Sequence, residues 1–439
     1  MSGKLKTLTL GCKLNQYETQ YIREGLELVG YHEVPREEPA ELCIVNTCTV
    51  TNEGDSKSRK AIRQLARENP DSRIVVMGCY ATRAPEEVHA LPNVVEVVTD
   101  KRELPDILGR FGVIDIPTGI SNFGNRHRAY IKIQDGCLLR CSYCIIPHVR
   151  PELTSRPIEH ILDEARRLID NGYRELVLTG VHIGHYGVDW NFGKPREQWI
   201  RLADLTRQIA MLPGDFRIRI SSIEATEVTR ELIAVLGEHA AKIVPHLHIC
   251  LQSGSDAVLR RMRRRWGTQT FLQRCNLVRE TLDNPAITTD IITGFPGETD
   301  AEFDEGLATI RSAAFSKIHV FPFSARKGTP AADMDDQLPK SLKKQRGREI
   351  ATLGKKLQTA YYQSLIGRKL EVLVEAEDRD KPQHYVGTSC RYAPVEFPWN
   401  PELSAQVKQT ENNNPIGQLI EVTATVTADD RILATVINS

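Results

Sequence analysis

Cys137, Cys141 and Cys144 stand in the run GCLLRCSYCIIPH, with three residues and then two between successive thiols. A disulfide would use two of them and leave one over. A closed zinc site needs a fourth ligand from elsewhere in the chain. Three thiolates can also hold an iron–sulfur cube by three corners and leave its fourth iron open. Three more cysteines share one kind of position: Cys12 in LGCKLN, Cys48 in VNTCTV and Cys79 in MGCYAT. Each falls at or just past the carboxyl end of an expected strand, where open α/β sheets gather their ligands. Cys43 lies inside a strand and reads as core; Cys250, Cys275 and Cys390 fit no ligand set and read as structural.

The elements that must position these thiols follow from periodicity. KTLTL, ELCIVNT, SRIVVMG and NVVEVVTD read as strands, separated by helical segments such as NQYETQYIREGLELVG. That alternation predicts a parallel α/β sheet. A glycine-rich stretch around residues 106–128 reads as a linker. A second alternating series follows, with strands at AYIKIQ, ELVLTG, FRIRISS, HLHICLQ, ITTDIIT and KIHVFPF. Six β/α units suggest an open version of the parallel barrel, whose chemistry sits at the carboxyl ends of its strands. The triple-cysteine loop directly follows the first of these strands, on that rim. Beyond a basic helix, LEVLVEAED, HYVGTS and LIEVTATVTADDRILATVI read as strands of a small β-barrel, a type that often binds oligonucleotides.

The expected class is therefore α/β, in three domains. These are an amino-terminal parallel α/β domain (residues 1–120), a partial (β/α)6 barrel (125–366) and a carboxy-terminal small β-barrel (367–439).

Composition fits a globular chain, with 41% hydrophobic and 26% charged residues among 439. No uncharged apolar run approaches the ~20 residues that cross a bilayer. No apolar stretch of signal-peptide length precedes Cys12, so a cytoplasmic location is expected, without membrane contact. In that reducing setting, ten cysteines favour metal or redox use over disulfides.

Net charge is zero, but its distribution is uneven: nine basic residues against Glu349 alone between Lys340 and Lys369, and RRMRRRW at 260–266. Such patches are where a polyanion would touch, although a solvated basic helix face is the commoner meaning of any single run. From Leu370 onward eleven acidic residues face five basic ones, so the terminal barrel is a poor source of phosphate attraction. Phosphate contacts are expected instead from Lys343, Lys344, Arg346 and Arg348 and from Arg261 and Arg264. Tyr392 or Trp399 would add stacking, and Lys57, Arg59 and Lys60 form the reserve surface. His182 and His185 follow a barrel strand and read as packing histidines without an assigned role. GFPGET at 294–299 lacks the lysine and spacing of a phosphate loop and reads as a tight turn.

Cys137-x-x-x-Cys141-x-x-Cys144, with Tyr143 before the last cysteine, resembles the signature of radical S-adenosylmethionine (radical SAM) enzymes. Taken with GC, NTC and GCYA at the three amino-terminal cysteines, the chain resembles the radical SAM methylthiotransferase family throughout. SRPIEHILDE, LQSGSDAVLRRM and DIITGFPGET match as well, and LTGVHIGHYG and RISSIEA bring it closest to the MtaB-type branch. It departs from the usual pattern at GCLLRCSYC and VRPELTSRP, which spares the cysteines and touches the cofactor side.

The resemblance implies two [4Fe-4S] clusters, one on Cys137, Cys141 and Cys144 and an auxiliary one on Cys12, Cys48 and Cys79. It implies two uses of S-adenosylmethionine, as methyl donor and as radical source, with exogenous or cluster-bound sulfide as the sulfur. The implied reaction is methylthiolation at C2 of N6-threonylcarbamoyladenosine beside the anticodon of tRNA. An electron donor such as flavodoxin or ferredoxin and a sulfur donor are implied partners, and a monomer is expected. The terminal barrel would be TRAM-like. S-adenosylmethionine contacts are expected from Tyr143, Thr179, Gly180, Ser222, Glu224, Gln252 and Asp290, at or near the strand ends of the barrel. The alternatives are isopentenyladenosine or a ribosomal-protein aspartate as substrate, or a non-catalytic RNA-binding protein with structural zinc.

Overall fold

The computed structural model describes residues 3–124, 126–400 and 414–437. The amino-terminal sheet has strands β1 (Gly3–Thr9), β2 (Tyr31–Glu33), β3 (Leu42–Thr47), β4 (Arg73–Gly78) and β5 (Val94–Val97), in the order β2-β1-β3-β4-β5. All neighbours are parallel. β3 is buried at every position, as its unbroken apolar run requires with helices on both faces.

The barrel strands are β6 (Arg128–Asp135), β7 (Thr154–Ser155), β8 (Glu175–Gly180), β9 (Arg217–Ile220), β10 (Ser222–Ile223), β11 (His246–Ile249), β12 (Ala286–Thr293) and β13 (Lys317–Pro322). They form two parallel runs, β6-β8-β9 and β10-β11-β12-β13, broken only at Ser221, with β7 a two-residue antiparallel edge on β6. All six expected strands are present. β6 and β13 do not pair, so the barrel is open on one side.

The helix Lys13–Leu28 packs on β6 and β8 and is buried along most of its length. One apolar core runs from Leu5 and Ile22 of the amino-terminal domain through Ile131 and Leu178 to Ile287 of the barrel. The stretch read as a linker is pinned rather than loose. Ile120 and Phe123 enter that core, and Glu24 accepts hydrogen bonds from the amides of Ser121 and Asn122 at 2.7 and 2.9 Å.

The terminal strands β14 (Lys369–Glu377), β15 (His384–Ser389), β16 (Pro394–Pro398), β17 (Leu419–Ala428) and β18 (Arg431–Val436) close a barrel in the order β14-β15-β16-β18-β17. β16 was not expected, because its two prolines mask a five-residue strand. This small barrel has its own core, which includes Val372, Phe397 and Ile420. Its 389–393 turn plugs the amino-terminal end of the larger barrel. Arg217 and Arg219 donate to the carbonyls of Glu371, Thr388 and Ser389 at 2.8–3.1 Å, while Glu175 binds both guanidinium groups. Tyr392 stacks on His246 with ring centroids 4.7 Å apart, and Trp399 is buried in the small barrel. Neither aromatic is presented as a stacking platform for bases. A tyrosine or tryptophan in a turn looks the same in sequence whether it faces solvent or a neighbouring domain. Among the described residues no helix is long and apolar enough to cross a membrane.

Candidate active site

The three amino-terminal thiols come from three strand ends. Cys12 and Cys48 follow β1 and β3, and Cys79 follows β4 and opens the helix Cys79–Arg83. Gly11 lets Cys12 and Cys48 meet: its φ is +105°, and a Cβ there would lie 2.9 Å from Cys48 Cβ and 3.2 Å from its sulfur. Cys48 senses the charges of Cys79 and Cys12, so the three form one set. Cys12 is exposed, Cys48 half-buried and Cys79 buried.

The second set lies in one loop. Gly136 (φ +74°) passes so near the Glu152 carbonyl that no side chain fits, which swings Cys137 off the end of β6. The amide of Cys144 donates to the carbonyl of Cys141 at 3.1 Å, and Cys144 senses both other thiols. Burial pushes the thiols of Cys48 and Cys137 up, and that of Cys144 up to about 12. Buried thiols of this kind ionise when a cation takes up the charge, so metal loading here releases protons. None of the ten cysteines is in a disulfide. Sets of three thiols fit site-open iron–sulfur clusters, whereas a closed tetrahedral zinc site takes four ligands.

Arg150 joins the two sets. Its Nε lies 3.5 Å from Cys79 Sγ, and its carbonyl accepts from the amide of Cys137 at 3.3 Å. The guanidinium binds Glu18 at 2.7 and 2.8 Å and Asp135 at 2.7 Å, and Lys132 adds bonds to both carboxylates. Burial works against the charges of Arg150, Glu18 and Asp135 alike. Arg150 and Lys132 nevertheless hold the Asp135 carboxyl far below the usual range and Glu18 below it too. Ile145 and Val149, just past the cysteine loop, pack on Cys79. Arg150 was missed from sequence because Glu18 and Cys79 lie 132 and 71 residues away in another domain.

Around the loop, Arg264 Nη1 lies 3.4 Å from Cys141 Sγ and 3.5 Å from the Tyr143 hydroxyl, and Arg264 is paired with Glu224. Trp266 Nε1 donates to Glu224 at 3.2 Å. Arg264 was expected on an RNA surface, but its side chain is only 3% exposed. Tyr143 and Glu224 thus meet the cysteine loop. Thr179 is buried in β8, and Gly180 leaves no room for a Cβ, which would lie 2.7 Å from the Gln134 carbonyl. Ser222 is exposed in the barrel mouth near Cys250, a thiol pushed well above its usual value by burial. Gln252 adopts φ +65° and donates its amide to the Asp290 carbonyl at 2.9 Å. The side chain of Asp290 points deeper, beside His248. His182 Nδ1 lies 3.7 Å from Cys137 Sγ, and its ring stacks on His185 at 3.7 Å. Neither histidine had been given a role.

The other basic residues divide. Arg346 is buried against Glu298 and Asp300 at 2.8 and 2.7 Å, which takes it off the expected RNA surface. Arg261 is held by Glu302, and Lys343 is half-buried over the Phe323 ring. Lys344 and Arg348 are exposed on the helix Lys340–Gln363, without an ion-pair partner among the described residues. A run of basic letters does not say which face of the helix each occupies.

Residues 4–100 match the uncharacterized protein family UPF0004, and residues 131–310 match the Radical SAM superfamily. The chain is 40% identical over 421 residues to the threonylcarbamoyladenosine tRNA methylthiotransferase MtaB of Bacillus subtilis, covering 91% of each chain. It is 37% identical to the MtaB of Chlamydia pneumoniae, over 96% of this chain and 99% of that one. The chain belongs to the radical SAM methylthiotransferase family. Membership makes it an enzyme and brings S-adenosylmethionine and a [4Fe-4S] cluster with it. A methylthiotransferase of a second kind, the tRNA-2-methylthio-N(6)-dimethylallyladenosine synthase of Desulfitobacterium hafniense, is 30% identical over 92% of this chain and 94% of that one. The fold also resembles the radical S-adenosylmethionine methyltransferase TsrM from Kitasatospora setae, at a TM-score of 0.55 and 14% identity over 76% of this chain and 77% of that one.

Proposed function

We propose that this methylthiotransferase places a methylthio group on C2 of N6-threonylcarbamoyladenosine beside the anticodon of tRNA. The observation that carries the reading is the meeting of two three-thiol sets across one buried arginine. The C2–H bond of adenine yields to no acid or base at neutral pH, so the cofactors carry the hard chemistry and the protein supplies position. Cys137, Cys141 and Cys144 would hold a cluster that supplies an electron for reductive cleavage of S-adenosylmethionine, and Cys12, Cys48 and Cys79 would hold one that carries the sulfur to be methylated.

The chain's own residues do the rest. Arg150 fixes the separation of the two thiol sets and places a positive charge beside Cys79. Arg264 does the same at Cys141, held in place by Glu224. Tyr143, Thr179, Gly180, Ser222 and Gln252 shape the S-adenosylmethionine pocket at the barrel rim. Lys344 and Arg348 supply phosphate contacts from outside the acidic terminal barrel. A cytoplasmic setting, a flavodoxin- or ferredoxin-like reductant and a sulfur donor belong to this reading.

The test is anaerobic reconstitution with iron and sulfide, then turnover of anticodon stem-loop RNAs with S-adenosylmethionine and reductant. The expected products are the 2-methylthio nucleoside from threonylcarbamoyladenosine RNA, 5′-deoxyadenosine and S-adenosylhomocysteine. Product from isopentenyladenosine RNA alone, or only on a protein aspartate, would transfer the chain to another branch.

A further inference from the structure

The middle of the barrel is lined unlike an ordinary barrel core. Strand register sets His248 beside Thr288 and Thr288 beside Lys317, with Asp290 beside His319 one step further along. The alternating residues Leu247, Ile249, Ile287 and Ile291 are at most 2% exposed beneath the helices, so the polar set faces the interior. Interior layers of parallel barrels are commonly filled by bulky aliphatic side chains. Here the side chains of His248 and Asp290 keep 13% and 28% of their exposure, so this pair borders open space inside the barrel.

Lys13 enters this space from the amino-terminal domain, its Nζ 6.0 Å from the centroid of the Tyr130 ring. Burial, with Arg219 and Arg128 nearby, holds its ammonium group below the usual lysine range, while Glu175 and Asp290 act in the opposite sense. The carboxylates present are already engaged. Glu175 is bound by Arg217 and Arg219 at 2.7 and 3.0 Å, and Asp290 lies 3.3 Å from His248 Nε2. Lys13 and Lys317 have neither an ion pair nor a hydrogen bond among the described residues. Each meets only an aromatic face, Lys317 that of Tyr392 at 5.8 Å. His246 Nδ1 is buried without a hydrogen-bond partner. Tyr392, stacked on His246, forms the floor.

We propose that this hollow is the subsite for an anionic substituent of the substrate base, with a carboxylate taken by Lys13 and Lys317 beside the imidazoles of His248 and His319. The assignment rests on the substrate reading above and deepens it. A threonylcarbamoyl group carries one carboxylate, one hydroxyl and N–H donors. The two ammonium groups answer the first, and the free lone pairs of Asp290 accept from the others. An isopentenyl group carries none of these and would leave the buried cations unpaired, which is how a polar site rejects an apolar analogue. His248, Asp290 and His319 also bring ligand atoms within 4.8 Å of one another, as a divalent metal would require. The two unpaired ammonium groups beside them favour an anion over a second cation.

The test compares stem-loop RNAs bearing threonylcarbamoyladenosine, its methyl ester or isopentenyladenosine as substrates of the reconstituted holoenzyme, read as kcat/KM for methylthio product. The wild type is expected to prefer the free acid over the ester by about 10-fold or more, the worth of one charge-assisted hydrogen bond. Lys13→Met and Lys317→Met should each shrink that ratio by about 10-fold. Iron and sulfide counts report whether each variant holds its clusters. Should Lys13→Met lose them through its neighbour Cys12, Lys317→Met decides alone. A wild-type ratio in Lys317→Met, or a wild type indifferent to esterification, overturns the subsite. A stoichiometric divalent ion that survives dialysis and disappears in His319→Ala overturns it as well, in favour of a metal. No product from any threonylcarbamoyladenosine RNA defeats the substrate reading itself, a different failure from equal turnover of acid and ester.

Discussion

The two thiol sites reach the same donor count by opposite routes. The barrel site takes Cys137, Cys141 and Cys144 from one loop, so its geometry is nearly complete in a local run of sequence. The amino-terminal site takes Cys12, Cys48 and Cys79 from three strand ends and exists only once β1, β3 and β4 lie side by side. Their surroundings differ too. Arg264 and His182 flank the loop set, whereas Arg150 and an exposed Cys12 mark the other. A local site can form early and tolerate distant change, while an assembled site depends on the sheet and on the network that docks it.

The sharpest way to break this comparison is to delete each set. Cys137, Cys141 and Cys144 replaced together by alanine should leave one cluster and abolish 5′-deoxyadenosine formation. Replacing Cys12, Cys48 and Cys79 should leave reductive cleavage intact and end methylthio transfer. Iron counts and product analysis check both, and methylthio product from the second variant would reduce those cysteines to packing.

Arg150→Met comes next. It leaves Glu18 and Asp135 with Lys132 as their remaining cation, and removing one partner from such a buried network costs about 3–5 kcal/mol. Chemical denaturation should register that loss, together with lost methylthio transfer. The sign of the pH dependence follows from the depressed carboxyl of Asp135. Its contribution is present above the unfolded value of about 4 and lost as the pH falls below it. Wild-type stability should therefore be flat from pH 7 to about 5 and fall on further acidification, while Arg150→Met shows a shallower fall.

Neutralising Lys344 and Arg348 is expected to do less. Two phosphate contacts removed should lower the slope of log affinity for tRNA against log salt by about 2. An unchanged slope would move the contacts to Lys60 and its neighbours. The smallest effect concerns the apoprotein after chelation. Because the Cys144 thiol is pushed up to about 12, its alkylation rate should still be rising at pH 10. A plateau near pH 9 would mean that the buried loop set opens without its metal.

Sequence alone determined what depends on neighbours along the chain. The spacing of the loop cysteines, the strand–helix alternation that yields two parallel sheets, and the β-rich run of the terminal barrel are all local patterns. Tertiary structure decided which long side chains face inward. Arg264 and Arg346 lie in basic runs yet are buried against Glu224 and Glu298, Tyr392 plugs the barrel, and Arg150 finds Glu18 across a domain boundary. The reason is physical. Periodicity reports the face of an element that is buried, but a buried charge is placed by whichever opposite charge the fold brings to it, and that partner is remote in sequence.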